Sequence, residues 1–333
     1  MNKEQGKYAN PAKAIWKGIS DQFKKQERIG TLLENERLEG KRVMITGANS
    51  GLGFATAVQL AARGAEVVMA GRSGIPEKGE AVKQLAGSDK VHMEKVELSD
   101  LGSILALVGR LKESGIKLDI VIFNAAVVPR KSRKTLQGLE EMFVVNYLAK
   151  YLLVRLLFQE GLVQMDGPER ARIIFVSSES HRNPKDFEWE KFGKYQSYGM
   201  DKTVARYGYY KLLLTTLATE LSRRLKQKGG QAPGVYALCP GPVNSNIAKE
   251  APKAFQPLLK VIFGLFFKAP DKAAEPVLYL ACAKEVASRD LDYLFLMSRK
   301  PMDDKTQDQS NGKQLWKLSE QLLAEKDIIL QPF

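Results

Sequence analysis

From residue 41 onward, short apolar runs alternate with amphipathic stretches, and glycines fall between them. The runs RVMIT (42–46), EVVMAGR (66–72), VHMEKVEL (91–98), DIVIFNAA (119–126), RIIFVSS (172–178) and VYALCPG (235–241) read as strands. ATAVQLAARG (55–64), LGSILALVGRLKESG (101–115), LEEMFVVNYLAKYLLVRLLFQEGL (139–162) and the stretch from Tyr207 to Gly229-Gly230 carry helical spacing. Most of the strand runs are apolar nearly throughout, so the sheet they form is covered on both faces. Strands alternating with helices make that sheet parallel. The expected fold is α/β, a doubly wound parallel sheet of nucleotide-binding type, as a single domain over residues 39–333.

Residues 1–38 precede this pattern and read as a partly helical N-terminal extension. Asn10-Pro11 has the form of a helix start. Trp16, Ile19 and Phe23 then share a face, with Lys13, Lys17, Lys24 and Lys25 beside it. Such a helix can lie on a membrane surface or pack on the main domain, and both readings stay open. The most apolar segment is AFQPLLKVIFGLFFKAP (254–270), bracketed by Pro257 and Pro270. It reads as an apolar substrate lid near residues 250–270, or as a helix that turns Leu258, Ile262 and Phe266 to the core.

Composition narrows this only a little. With 44% hydrophobic and 8% aromatic residues in 333, there is material for one large core. Two cysteines, Cys239 and Cys282, and two histidines, His92 and His181, make neither a disulfide framework nor an expected metal site. The net charge of +13 is scattered, and there is no nucleic-acid module, so no nucleic-acid partner is expected. Positive charge equally suits anionic lipid or a phosphorylated cofactor. A polar stretch without a signal-peptide core follows Met1, and no run approaches about 18 apolar residues. A cytoplasmic protein is expected, with peripheral membrane contact open.

The chemistry sits at the ends of the strands. The first strand-to-helix turn reads TGANSGLG, Thr46 to Gly53, with Gly47, Gly51 and Gly53 spaced G-x-x-x-G-x-G. Glycines there let the backbone turn tightly, let a pyrophosphate approach and let the helix sit close to the strand. The helix N-terminus, from Asn49, Ser50 and Leu52 onward, offers N–H groups and a positive dipole end. The second strand ends Ala70-Gly71-Arg72, where an acidic residue would bind the ribose of NAD. Arg72 suits a 2′-phosphate instead, so NADP is favoured over NAD.

The pattern Tyr-x-x-x-Lys occurs twice, as Tyr198 with Lys202 and as Tyr207 with Lys211. The two tyrosines are nine residues apart (207 − 198). At about 100° per residue they would face opposite ways on one helix. Gly199 and Asp201 argue for a loop before Tyr207, so the helix is expected to begin there and Tyr207 with Lys211 to be the working pair.

TGANSGLG, the NAA of Asn124-Ala125-Ala126, the Asn146 of VVNYL, the serines of IIFVSS, YGYYK and CPGPV resemble, in that order, the short-chain dehydrogenase/reductase family. The likeness covers roughly residues 39–300 and implies the Rossmann fold. AGRS, VELSDLGSI and LWKLSEQLL (315–323) are similar to its retinol-dehydrogenase-like branch. The resemblance implies that Tyr207 is the general acid or base, that Lys211 lowers its pKa and holds the nicotinamide ribose, and that Ser178 binds the substrate oxygen. Asn146 would hold a relay water, Asn124 would lie on the adenosine side, Glu97 and Leu98 beside the adenine, and Pro240, Gly241, Val243 and Ser245 along the nicotinamide. It further implies that helices 139–162 and 207–228 can pair across a homodimer.

The family's serine and tyrosine are often closer than the 29 residues (207 − 178) found here. The insert SHRNPKDFEWEKFGKYQSYGMD reads as a flap, with Trp189, Phe192 and Tyr198 as candidates to touch substrate. The expected function is an NADP(H)-dependent oxidoreductase for a lipophilic carbonyl or alcohol of retinoid, steroid, aldehyde or quinone type. The alternatives are a non-catalytic dinucleotide-binding regulator and a protochlorophyllide-type pigment reductase.

Overall fold

A computed structural model describes residues 29–165, 169–241, 269–289 and 291–333. The helix expected at 10–25, residues 250–268 of the expected lid, Val243 and Ser245 lie outside the described residues. The described part of the extension, from 29 to 38, is irregular chain with one turn.

Seven strands run parallel: β1 Arg42–Thr46, β2 Glu66–Gly71, β3 Val91–Lys95, β4 Ile120–Phe123, β5 Arg172–Val176, β6 Gly234–Cys239 and β7 Leu291–Phe295. β8, Ser298–Arg299, closes the far edge antiparallel to β7. The order β3-β2-β1-β4-β5-β6-β7-β8 reverses direction between β1 and β4. Ligands of such sheets bind outside the carboxyl ends of the strands at that switch point. β7 and β8 were not foreseen; LDYLF is only five residues long and begins with half-buried Leu291 and Asp292.

Helices α1 Gly51–Ala62, α2 Glu77–Ala86 and α3 Leu101–Glu113 follow the first three strands. The next helix, α4, is α-helical over Glu141–Phe143, π-helical over Val144–Leu148 and α-helical again over Ala149–Gln159. α5 is Met200–Gln227, and the short helices α6 Pro270–Ala273 and α7 Glu275–Cys282 pack beside α1. The chain then forms α8, Asp304–Gln307, and α9, Gln309–Ala324.

Every residue from 149 to 157 in α4 and from 208 to 222 in α5 is buried. A helix buried all round needs cover on its outer side as well as against the sheet. That cover is the C-terminal segment. Tyr147 Oη meets Ser319 Oγ at 2.6 Å, and Trp316 stands edge-on to Tyr151 at 5.1 Å. Arg155 bonds Glu320 at 2.6 Å and the Gln331 carbonyl at 2.6 Å, and lies over the Trp316 ring at 4.9 Å.

The α5 boundary differs from expectation: the helix starts at Met200, about two turns before Tyr207. Polar anchors replace apolar burial there. Thr203 Oγ1 donates to the Pro129 carbonyl at 3.2 Å. Arg206 reaches Glu188 at 3.2 Å and Gln196 at 2.8 Å. Tyr198 lies just outside the helix and is buried, its hydroxyl donating to Glu140 Oε1 at 2.7 Å. Glu140 in turn caps α4, accepting from the Met142 and Phe143 amides. Trp189 stacks on Phe187 at 4.3 Å, and Phe192 stands edge-on to Phe143 at 5.3 Å. The expected flap aromatics are thus engaged in packing, and Lys202 is exposed on α5.

Candidate active site

The Gly-rich turn between β1 and α1 shows why it needs glycines. Gly47 and Gly51 have φ of +68° and +55°, in the left-handed region. A Cβ on Gly53 would sit 2.3 Å from the Gly47 carbonyl oxygen and 2.5 Å from Asn124 Nδ2. α1 opens with Ser50 as N-cap but no side-chain cap bond, and no acidic residue occupies its first turn. Its free amides are therefore available to an anion. This narrow, uncapped cradle fits a pyrophosphate.

Asn124 is engaged at the glycine turn. Its Nδ2 donates to the carbonyls of Thr46 at 3.0 Å and Gly47 at 3.2 Å. Thr46 Oγ1 returns the grip, accepting from the amides of Asn124 at 3.1 Å and Ala125 at 3.2 Å. The side chain is a brace between β4 and the glycine turn.

At the rim, Arg72 is 63% exposed and pairs loosely with Glu97 at 3.8 Å. Asn49 Nδ2 donates to Ser73 Oγ at 3.1 Å, tying the glycine turn to the residues beside Arg72. Glu97 Oε1 accepts from the Ser99 hydroxyl at 2.9 Å, and the Leu98 side chain is buried in the core.

The second cluster lies where β5 ends and α5 passes. Tyr207 is half-buried, with the Ser178 side chain near its hydroxyl. Burial pushes the phenol pKa up, the neighbouring Cys239 adds to this, and Ser178 opposes it. The Lys211 Nζ lies 5.5 Å from the Tyr207 ring centroid and donates to the Val176 carbonyl at 2.7 Å. Lys211 is 1% exposed, and burial pulls it from 10.5 down to about 8. At pH 7 it is still mostly an ammonium. Cys239, pushed up to about 11 by burial, stays a thiol. Pro240 and Gly241 follow it at the end of β6, Gly241 with a φ of +79°.

Asn146 lies within the π-helical turn of α4, and its side chain is fully used. Oδ1 accepts from the Val127 amide at 2.9 Å and Nδ2 donates to the Val127 carbonyl at 3.0 Å. The Asn146 main-chain carbonyl instead receives Lys150 Nζ at 3.2 Å. Lys150 is 1% exposed, and burial, then the charge of Lys211, holds its pKa well below the usual lysine range. This second buried amine went unread in the sequence. Its signal was a single charge inside NYLAKYLL, where charged side chains are rarely buried without a task.

His181 is the other residue sequence reasoning passed over. It is fully buried in the 3-10 turn Glu179–Arg182, and burial pulls it from 6.5 down to about 4. Its folded value lies below the unfolded one, so the neutral ring stabilises the fold fully above about pH 6.5. That contribution is lost as pH falls through about 4 and amounts to about 3 kcal/mol at most. Urea unfolding at pH 7 and pH 5 should therefore show a smaller pH effect in His181→Asn than in the wild type. Equal pH effects would contradict this.

Among the described residues, no group of His, Cys, Asp and Glu could hold a metal ion. The described constellation is a dinucleotide cradle beside a serine, a tyrosine and a buried lysine.

The chain is similar to known proteins. Residues 41–189 match the family model described as short chain dehydrogenase. Retinol dehydrogenase 14 of Mus musculus is 33% identical over 302 residues, covering 86% of this chain and 87% of its own. Polyprenol dehydrogenase of Homo sapiens is 30% identical over 294 residues, covering 86% of each. A crystal structure of an uncharacterized protein from Mycobacterium paratuberculosis superposes with a TM-score of 0.66 at 27% identity, covering 89% of this chain and 97% of that one. The glycine cradle, the serine–tyrosine–lysine cluster and these likenesses agree, and the chain belongs to the short-chain dehydrogenase/reductase family, in its retinol-dehydrogenase-like branch.

Proposed function

We propose that this chain is an NADP(H)-dependent oxidoreductase acting on the carbonyl or alcohol of a lipophilic substrate of retinoid, steroid, aldehyde or quinone type. The observation that carries the reading is Tyr207 beside Ser178 with the buried Lys211 ammonium 5.5 Å from its ring centroid. When bound, the dinucleotide supplies or accepts the hydride. In reduction, Tyr207 gives its phenolic proton to the carbonyl oxygen as negative charge develops there; in oxidation it takes the alcohol proton. Ser178 Oγ orients that oxygen. The charge of Lys211 favours the phenolate and so eases proton loss from Tyr207. Gly47, Gly51, Gly53 and the amides of α1 would hold the pyrophosphate, and Arg72 would take the 2′-phosphate.

Retinol and polyprenol, named for two relatives, are lipophilic, and AFQPLLKVIFGLFFKAP supports the same substrate class here. No helix among the described residues is long and apolar enough to cross a membrane. The basic, apolar stretches at 10–25 and 254–268 support a cytoplasmic protein with peripheral membrane contact. A homodimer built on α4 and α5 would have to meet α9, because this chain's own C-terminal segment covers their outer side.

The test is a turnover panel of retinal, a steroid ketone, a quinone and decanal with NADPH and with NADH. Turnover with NADPH is expected to exceed that with NADH. Arg72→Ala is expected to weaken NADPH binding about tenfold or more, the loss of one charge-assisted contact, and to leave NADH unchanged. A wild-type preference for NADH would refute the role of Arg72.

A further inference from the structure

Ser178 is the last residue before the 3-10 turn Glu179–Arg182, in extended conformation. Its Oγ accepts from the Ser180 amide at 3.2 Å. Because a single rotation about its backbone would carry Oγ away from Tyr207, the peptide itself must be held. Two carbonyls along this edge are gripped by side chains. Val176 O receives Lys211 Nζ at 2.7 Å, and Ser178 O receives His181 Nδ1 at 2.7 Å. Ser178 O also takes the His181 amide at 3.0 Å. Between them, Ser177 Oγ meets Thr215 Oγ1 at 2.7 Å.

The tautomer of His181 follows from its partners. A carbonyl oxygen only accepts, so Nδ1 carries the proton. Nε2 must then accept, and the Asp303 amide donates to it at 3.3 Å. Asp303 caps α8 through its side chain, which accepts from the Lys305 amide at 3.1 Å. The imidazole is thus a strut between the serine peptide and the segment that packs α8 on α5. The Tyr293 ring stands against it at 5.2 Å, and the Tyr293 hydroxyl donates to Glu179 at 2.8 Å. Glu179 also pairs with Arg182 and Lys300. The groups facing His181 from its own turn, from β7 and from the chain before α8 are therefore Glu179, Arg182, Tyr293 and Asp303.

We propose that His181 is a positioning residue for the reaction: as a neutral Nδ1–H tautomer it clamps the Ser178 carbonyl to α8 and so fixes Ser178 Oγ against Tyr207. The proposal rests on the oxidoreductase reading above. It assigns to one imidazole nitrogen a task that the other cannot perform. The amide of asparagine overlays Nδ1, whereas that of glutamine overlays Nε2. A residue that only filled the core would treat these two replacements alike.

The test compares His181→Asn, His181→Gln and His181→Phe in the full chain, with Tyr207→Phe as reference. Reduction of retinal, decanal and a steroid ketone by NADPH is measured alongside thermal midpoints. His181→Asn is expected to retain kcat within about threefold. His181→Gln and His181→Phe are expected to lose about 10- to 100-fold in kcat with KM for NADPH unchanged, the size of effect of an ångström-scale misplacement. Independently, 15N-histidine NMR at pH 7 should show His181 protonated at Nδ1. An Nε2–H tautomer, or equal kcat for the asparagine and glutamine variants at wild-type level, overturns the clamp. Full activity in Tyr207→Phe, or no turnover of any probe by the wild type, overturns the oxidoreductase reading instead.

Discussion

Replacing Tyr207 by phenylalanine is expected to lower kcat by about 10²–10⁴-fold, the range for loss of a general acid or base. The ring stays, so its contact with Lys211 at 5.5 Å from the centroid is preserved. Only the hydroxyl beside Ser178 disappears. Dinucleotide affinity and thermal midpoint should therefore stay near wild type, and measuring them with kcat isolates the proton-transfer step. A variant with full turnover would leave the assigned mechanism without a proton donor. Rate against pH supplies a second check. Lys211 loses its charge as pH rises through about 8, so its support for the phenolate fades on the alkaline side. Lys211→Met should remove that alkaline limb and lower the plateau.

Gly53→Ala is expected to have the next largest effect, on binding rather than on chemistry. The added Cβ would lie 2.3 Å from the Gly47 carbonyl oxygen, a backbone atom that cannot step aside alone. Relief requires α1 to move from β1, and overpacking of this kind costs about 1–3 kcal/mol. The same movement spoils the cradle at the N-terminus of α1. Dinucleotide affinity, followed by quenching of protein fluorescence, should fall at least about tenfold, equivalent to about 1.4 kcal/mol. Unchanged affinity together with an unchanged thermal midpoint would mean that the close approach at Gly53 is not a real constraint.

The sheet was legible because its strands are apolar without interruption: VVMA, IVIF and RIIFV can only be strands buried on both faces. The glycine turn was legible because few other uses of Gly47, Gly51 and Gly53 between a strand and a helix exist. Two kinds of feature were not. The start of α5 depends on Thr203 and Arg206 finding partners on distant loops, information that local propensity does not contain. The bonds of Asn124 and Asn146 to neighbouring peptides could not be read from the sequence, because they depend on which distant peptides the fold brings alongside. Tyr207 was chosen over Tyr198 on an expected loop where the helix in fact begins. In the structure Tyr198 is tied to Glu140 and Lys202 is exposed. His181 and Lys150 went unread for a related reason: the sequence does not show that a lone titratable group is buried, and the second partner of His181, Asp303, lies far away in the chain.

The C-terminal cover over α4 also sets an order of events during synthesis. Tyr147, Tyr151 and Arg155 are made well before Trp316, Ser319, Glu320 and Gln331, which complete their surroundings. A nascent chain halted near residue 300 would carry both catalytic helices with their outer side still bare. Such a chain presents aromatic and leucine-rich surface to the cell while it waits for its last 33 residues (333 − 300). Premature stop codons late in the reading frame are then expected to yield insoluble, rapidly degraded protein, although every residue of the reaction centre has been translated.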